Sequence, residues 1–354
     1  MKLLKRIALL FVLVLVVVSC APPAAPQKFY LPMILEQNQS VLGVQMEGNS
    51  LGGRNVYLAN ESAIHLSLRW SEVEAIRGTY SWITTFDTMA ATVAENRFFI
   101  LNLKNAPAWA RAPSTLQCYA PKVEFFDEFA NFVVAAIDRY HPDAIEIWNE
   151  PDVQPQAAID NGYWYGCIGN GTLYAQILGV VYPIVKAHHP SVVVLGGALM
   201  LGETQHKFTE DFLAYTIASP ITKYNQSYPV PAPKLSLTSS IHPFDGVSYH
   251  AYITYPSTNF DYVFGKADYL ATLTDKQLWV TETALLCQTD CGTTFKNSQT
   301  NYLTHVYSNA YSHGLNGLLW YSLANNGWLN SDLVAKDVKK PVWYEYCDFL
   351  GGCE

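Results

Sequence analysis

Two glutamates, each closing a short apolar run, are the first chemical signal in this sequence. Glu150 ends Ile145-Glu146-Ile147-Trp148-Asn149-Glu150-Pro151, and Glu282 lies near the end of Leu278-Trp279-Val280-Thr281-Glu282-Thr283. Pro151 cannot donate to a sheet ladder, so the first run stops there as a central strand. A carboxyl at the mouth of an apolar barrel loses hydration and its pKa rises, which suits proton donation. Two carboxyls facing one cleft are what cleavage of a glycosidic bond requires, one as acid and base and the other as nucleophile. Either glutamate alone also reads as a loop carboxylate or an ion-pair partner; the pair, with Asn149 ahead of Glu150, favours chemistry.

Other catalytic signatures are missing from the chain. It has no G-x-S-x-G elbow, no H-E-x-x-H helix and no phosphate-binding loop, and Gly169-Asn170-Gly171 lacks the third glycine of a dinucleotide fingerprint. No cofactor and no metal are therefore expected.

Elements that could carry the two glutamates follow a simple rhythm. Short apolar strands are expected at 41–46, 64–68, 98–103, 144–148, 192–196, 246–249, 278–281 and 317–321, alternating with longer helical patterns. Phe125, Phe129, Phe132, Val133, Ala136, Ile137 and Tyr140 share one helical face, as do Leu173, Ile177, Val181, Ile184 and Val185, where Pro183 is expected to kink the helix. Tyr302, Leu303, Val306, Tyr307 and Ala310 form a third such stripe, stopped by Gly314. Residues 203–243 show no period and read as a long excursion that helps shape the cleft. Eight strand–helix units in this order predict an α/β fold, a (β/α)8 TIM barrel, whose catalytic groups sit at the C-terminal strand ends.

Counted in order, Glu150 ends the fourth strand and Glu282 the seventh. In this the sequence resembles the clan A retaining glycoside hydrolases, barrel enzymes with catalytic glutamates at the ends of strands 4 and 7. Arg69-Trp70-Ser71-Glu72-Val73-Glu74, Gly78-Thr79-Tyr80-Ser81-Trp82 and Ala106-Pro107-Ala108-Trp109-Ala110 look most like glycoside hydrolase family 39, with parts shared by families 5 and 42. The resemblance spans roughly residues 41–328. It implies a retaining O-glycosyl hydrolase for β-linked oligo- or polysaccharides, with Glu150 kept protonated in a less solvated position and Glu282 kept charged by Arg69. It further implies that Asn149 bonds the sugar 2-hydroxyl, that His250 or Tyr252 touches the nucleophile or sugar, and that Trp320 floors the sugar site. Trp109, Trp164 and Trp328 line further subsites or simply pack. The plain alternatives are a core histidine for His250, a surface ion pair for Arg69 and simple core for Trp320. Two other functions compete: an endo-acting glycanase similar to family 5, cutting glucan or mannan, and a surface lipoprotein that only binds glycans. A pure binder needs neither acid nor nucleophile, which argues against the last.

The N-terminal segment and the even set of cysteines lead to the expectation of a protein exported from the cytoplasm. Lys2, Lys5 and Arg6 precede an apolar run at 7–18, shorter than the ~20 residues that span a bilayer and suited to a signal peptide. That run ends in Val17-Val18-Ser19-Cys20, which resembles a bacterial lipobox. Residues 1–19 thus read as a leader, 20–40 as a lipidated Cys20 with a Pro/Ala-rich tether, and 41–354 as the catalytic barrel with a short tail. A simple secretory peptide cut nearby is the alternative. Without its leader the chain is three charges more negative than the full-length −8, and it has no Lys/Arg cluster, which excludes nucleic acid as a partner. Membrane contact is expected only through the anchor.

Cys118, Cys167, Cys287, Cys291, Cys347 and Cys353 remain, an even set that reads as disulfides and formally allows 15 pairings. Cys118 is expected to join Cys167, because the loops after strands three and four are neighbours; Cys287–Cys291 and Cys347–Cys353 would be local bridges. Cys287 and Cys291 as half of a zinc site lack a second ligand pair. Replacing Cys20 by alanine should move the protein from the membrane fraction to the soluble fraction. A wild-type protein already soluble, beginning at another residue, would contradict the anchor.

Overall fold

Runs of Val, Ile, Leu and Phe with few polar interruptions form the strands, as expected where a parallel sheet is covered on both faces. The computed structural model describes residues 39–111, 118–160, 167–217, 241–288 and 291–353. The leader, Cys20, the tether to residue 38, Trp164 and residues 218–240 of the excursion lie outside the described residues. The strands are β1 (Val41–Gln45), β2 (Ala63–Arg69), β3 (Phe99–Lys104), β4 (Ala144–Ile147), β5 (Val193–Leu199), β6 (Gly246–Thr254), β7 (Gln277–Leu286) and β8 (Leu315–Trp320). They pair in sequence order, all parallel, and β1 closes the barrel on β8 through Val41–Gly317 to Val44–Trp320. Each expected strand is present; β6 and β7 run several residues further, out to the rim that carries the site.

Connections supply the outer layer. They include α1 (Trp70–Val73), α2 (Thr84–Val93), α3 (Phe126–Tyr140), α4 (Pro155–Asp160), α5 (Gly171–His188), α6 (His206–Leu213), α7 (Tyr262–Ala271), α8 (Gly292–Asn309) and α9 (Pro341–Phe349). The three stripes fall on α3, α5 and α8, flanked by Phe125 before α3 and Ala310 after α8, and most of their residues are buried, with Phe125, Tyr140, Leu173 and Ile184 partly so. Pro183, where a kink is expected, lies inside helix α5, which is one element from Gly171 to His188. Between β1 and β2 runs only a 3-10 turn, Arg54–Tyr57. Helix α9 is tied to that connection, since the Trp343 indole N–H donates to the Tyr57 carbonyl at 2.9 Å.

All three expected disulfides are present: Cys118–Cys167, Cys287–Cys291 and Cys347–Cys353, with Cα–Cα distances of 5.5, 6.4 and 5.3 Å. The first joins the loops after β3 and β4 and packs with Val153, Tyr119 and Met200.

Alternation along the strands separates two interiors. Ile64, Leu66 and Leu68, Leu101 and Leu103, and Ile145 and Ile147 join the helices in the main core. Residues of the other parity point into the barrel. Towards its floor these are apolar and matched in size: Trp279 of β7 lies over Gly317 of β8, where an added Cβ would meet the indole at 2.3 Å, and Phe98 stacks on the same ring at 5.5 Å. Higher up they become polar, with Gln45, His65, Asn102, Glu146, Ser248 and His250 all buried. Gly317→Ala should therefore destabilise the fold by about 1–3 kcal/mol through overpacking. Denaturant unfolding would show this, and an unchanged midpoint would contradict the packing described.

Candidate active site

Strand β4 ends at Ile147, and the chain then turns sharply. Trp148 and Glu150 both take left-handed backbone angles, φ 72° and 47°. Such angles are unfavourable for residues with a Cβ and persist only when their surroundings impose them. Here the amide of Trp148 donates to Leu103 O at 2.9 Å, that of Glu150 to Ala198 O at 3.0 Å, and Trp148 is buried against Phe129. The result sets Glu150 at the barrel mouth with 17% of its side chain exposed.

On β7 a bulge performs the equivalent aiming. Tyr249 pairs with Val280, but His250 pairs with Glu282, so Thr281 is one residue too many, and the register with β8 shifts at the same place. The extra residue reverses the facing of the residues after it. Glu282 turns inward beside His250, while Thr283 turns outward, its hydroxyl bonding Ala251 O and the Tyr302 hydroxyl of α8.

The two glutamates meet around His250. Its Nδ1 lies 3.0 Å from Glu150 Oε1 and 3.4 Å from Glu282 Oε2, and the Tyr252 hydroxyl donates to the same Glu282 oxygen. One oxygen of each carboxylate and the His250 nitrogen all lie within 4.8 Å of one another. On distance alone this trio could surround a divalent ion. The bonds its members already make, N–H and O–H to carboxylate, are those of a proton-sharing set.

Electrostatics follows from burial first. Burial pushes the Glu282 carboxyl up; His250 opposes this, and the nearby Glu150 and Glu47 carboxylates add to it. Burial would lower His250, but Glu282, Glu150 and Glu146 outweigh it and raise the imidazole to about 9. Tyr252 is raised well above its usual range, by burial and then by Glu282, and stays a donor. Behind the rim, Asp152 is buried and accepts the amides of Met200 and Leu201 at 3.0 and 2.9 Å. Lys266 of α7 donates to the carbonyls of Met200 and His250 at 2.6 and 2.8 Å. This pair clamps the loops after β4 and β5 to β6. Burial pushes Asp152 up to about 6 and Lys266 down to about 8.

The structure brings Glu150, Glu282, His250 and Tyr252 together and places Asn149, buried, beside them, its Oδ1 3.5 Å from Lys104 Nζ. Three expectations need correction. Arg69 does not serve Glu282: it pairs with Glu72 at 2.6 Å, three residues on in the turn that follows β2, and His250 is the cation at Glu282. Trp320 does not floor the site; with the outward parity of Leu318 it is buried against Tyr302 and donates to Ser331 O at 2.8 Å. Tyr321, the next residue, reaches the mouth instead, its ring 5.9 Å from Tyr252 and 5.4 Å from Trp328, which stands 5.0 Å from Tyr252. The division of solvation is also reversed, since Glu282 is more buried than Glu150, at 7% against 17%. Trp109 packs edge-on to Trp70 and Phe125 and donates to Glu74 O. Sequence reasoning also passed over Glu146, Glu47, Asp152 and Lys266; Glu146 was visible as the one charge within an apolar strand.

His250 gives a pH-dependent test. Its folded pKa of about 9 exceeds the ordinary 6.5, so the imidazolium stabilises the fold fully below pH 6.5, and this contribution is lost as pH rises through about 9. The stability difference between wild type and His250→Gln should shrink by on the order of 3 kcal/mol over that window. Urea unfolding at several pH values would measure it, and a pH-independent difference would contradict the assignment.

No protein-family model matches this sequence, and no curated protein matches it. Among solved structures, the chain is similar to a family 39 glycoside hydrolase from the gut symbiont Bacteroides cellulosilyticus WH2, with TM-score 0.60 and 18% identity over 89% of this chain and 64% of that one. It is also similar to an exo-β-1,4-mannosidase from Opitutaceae bacterium strain TAV5, with TM-score 0.59 and 12% identity over 88% and 59% of the two chains. The chain thus spans under two thirds of the length of these two. A third, xylanase 10B from Thermotoga petrophila RKU-1 in complex with xylobiose, has TM-score 0.59 and 14% identity over 90% of this chain and 95% of that one. What these structures have in common with the chain is the fold, a closed eight-stranded parallel (β/α)8 barrel.

Proposed function

We propose that this chain is a retaining O-glycosyl hydrolase for β-linked glycosides or oligosaccharides, with Glu150 as acid and base and Glu282 as nucleophile. The observation that carries the reading is the approach of the two carboxylates to within 4.8 Å, oxygen to oxygen, one in the turn after β4 and the other on β7 just past its bulge. Retaining enzymes hold such groups about 5–5.5 Å apart, whereas inverting enzymes need roughly 6.5–9.5 Å to admit a water. The neighbours of the same fold include proteins named as a glycoside hydrolase, a mannosidase and a xylanase, which supports a saccharide substrate.

In this reading Glu282 attacks the anomeric carbon while Glu150 gives its proton to the departing glycosidic oxygen. A glycosyl ester on Glu282 results, and Glu150, now a base, takes a proton from the water that hydrolyses it. Tyr252 holds one Glu282 oxygen, leaving the other to attack, and His250 offsets the negative charge of both carboxylates. The more exposed Glu150 is desolvated by the sugar itself once the cleft fills, which favours its protonated form. Asn149 bonds the 2-hydroxyl, and Tyr321 and Trp328 offer apolar faces to a pyranose ring. Three disulfides fit an oxidising compartment, in line with export and a lipid anchor at Cys20.

A panel of aryl glycosides and polysaccharides would identify the sugar. Glu282→Ala should abolish turnover, and Glu150→Ala should lower it by about 10²–10⁴-fold for poor leaving groups while sparing activated ones. A slow fluorinated glycoside should label Glu282. A label on another residue, or product with inverted configuration, would refute the mechanism.

A further inference from the structure

Below the carboxylate pair lies a third carboxylate. Glu146, four residues before Glu150, is completely buried. Its Oε2 accepts from His65 Nε2 at 3.0 Å and from Asn102 Nδ2 at 2.8 Å, and the Ser248 hydroxyl also donates to it. Ser248 precedes His250 by two residues and shares its face of β6. Strands β4 and β6 therefore face each other across β5 in two rungs, Glu146 with Ser248 below and Glu150 with His250 above. Gly197 of β5 makes the close approach possible, since a Cβ there would meet the Ser248 carbonyl oxygen at 2.1 Å. Each rung leaves one buried atom without a hydrogen-bond partner: the acceptor Oε1 of Glu146 and Nε2 of His250, a donor in the imidazolium.

We propose that Glu146 is a positioning residue whose carboxylate keeps the His250 imidazole doubly protonated, so that His250 donates to Glu150 and Glu282 instead of competing with them for a proton. This rests on the reading of Glu150 and Glu282 as the catalytic pair. The argument is one of permanence. Glu150 is neutral whenever it holds its proton, and Glu282 is neutral once it has become an ester. Neither can be a constant counter-charge to His250. Glu146 can, because although burial alone would raise its carboxyl, His65 and then His250 bring it to about 2.

Among the described residues, other charged or titratable groups also surround this column, including Glu47, which acts on Glu282, and Lys104 of β3, whose Nζ lies 3.5 Å from Asn149 Oδ1. His250 faces Glu150 on β4, Glu282 on β7 and Tyr252 on its own strand, with Lys266 of α7 at its carbonyl and Asp152 beyond. Glu146 faces His65 on β2, and Tyr174 of α5 lies behind it, donating to Ile147 O at 2.6 Å.

Histidine-selective ¹⁵N NMR on the full chain, with the His250 signal assigned from a His250→Gln spectrum, reads its protonation without any substrate. Glu146→Gln should move the His250 midpoint down from about 9, because Glu146 is one of the three carboxylates that raise it. Asn102→Ala, which removes a neutral partner of the same carboxylate, should leave it nearly in place. Should Glu146→Gln not fold, Glu146→Asp keeps the charge and should hold the midpoint near the wild-type value, whereas a fall there would overturn the proposal. A folded Glu146→Gln protein with an unmoved His250 midpoint would overturn it equally. A shifted midpoint in a protein that hydrolyses no glycoside would uphold the electrostatic role of Glu146 and refute the glycosidase reading alone.

Discussion

Charge inside a closed apolar barrel must be answered by charge or by hydrogen bonds, and this requirement organises the upper half of the molecule. A desolvated carboxylate without partners costs several kcal/mol. Glu146 is met by His65, Asn102 and Ser248, Glu282 by Tyr252 and His250, and Asp152 by two backbone amides. The same demand recurs after β8, where Asp332 is buried against Lys340 at 2.6 Å. His250 is the keystone, because among the described residues it is the cation placed between Glu150 and Glu282.

Much of the scaffold was legible in the sequence, for definite reasons. Apolar runs bounded by turn residues marked the strands, and the 3.6-residue stripes marked α3, α5 and α8. Asn149-Glu150-Pro151 stood out because proline stops a strand, leaving the glutamate at its end. The disulfides followed from neighbouring loops and short spacings. The failures share a cause, which is that side-chain direction depends on register. Trp320 and Tyr321 differ by one position, and only the pairing of β8 with β1 shows which of them reaches the mouth. Strict alternation from Trp279 would have turned Thr281 inward and Glu282 outward; the bulge that reverses this has no hydrophobic signature. Arg69 was assigned by charge and place, whereas its nearest acid lay three residues ahead in its own turn.

Aiming the site thus depends on irregular backbone more than on regular strands. Two left-handed residues after β4, a bulge in β7 and a register shift in β5 between Gly196 and Leu199 all fall at one level of the barrel. Asp152 and Lys266 hold that level from behind, so the strain there is met by buried hydrogen bonds within the fold and does not depend on a ligand.

Cys118–Cys167 has a consequence for how the chain responds to proteolysis. The bridge encloses a loop that carries α3, β4 and Glu150. A single cut anywhere between the two cysteines would divide the chain on a reducing gel, yet the two pieces would remain one covalent molecule under oxidising conditions. The segment bearing Glu150 cannot be shed by one cleavage in that loop, so damage there and loss of that carboxylate are separate events.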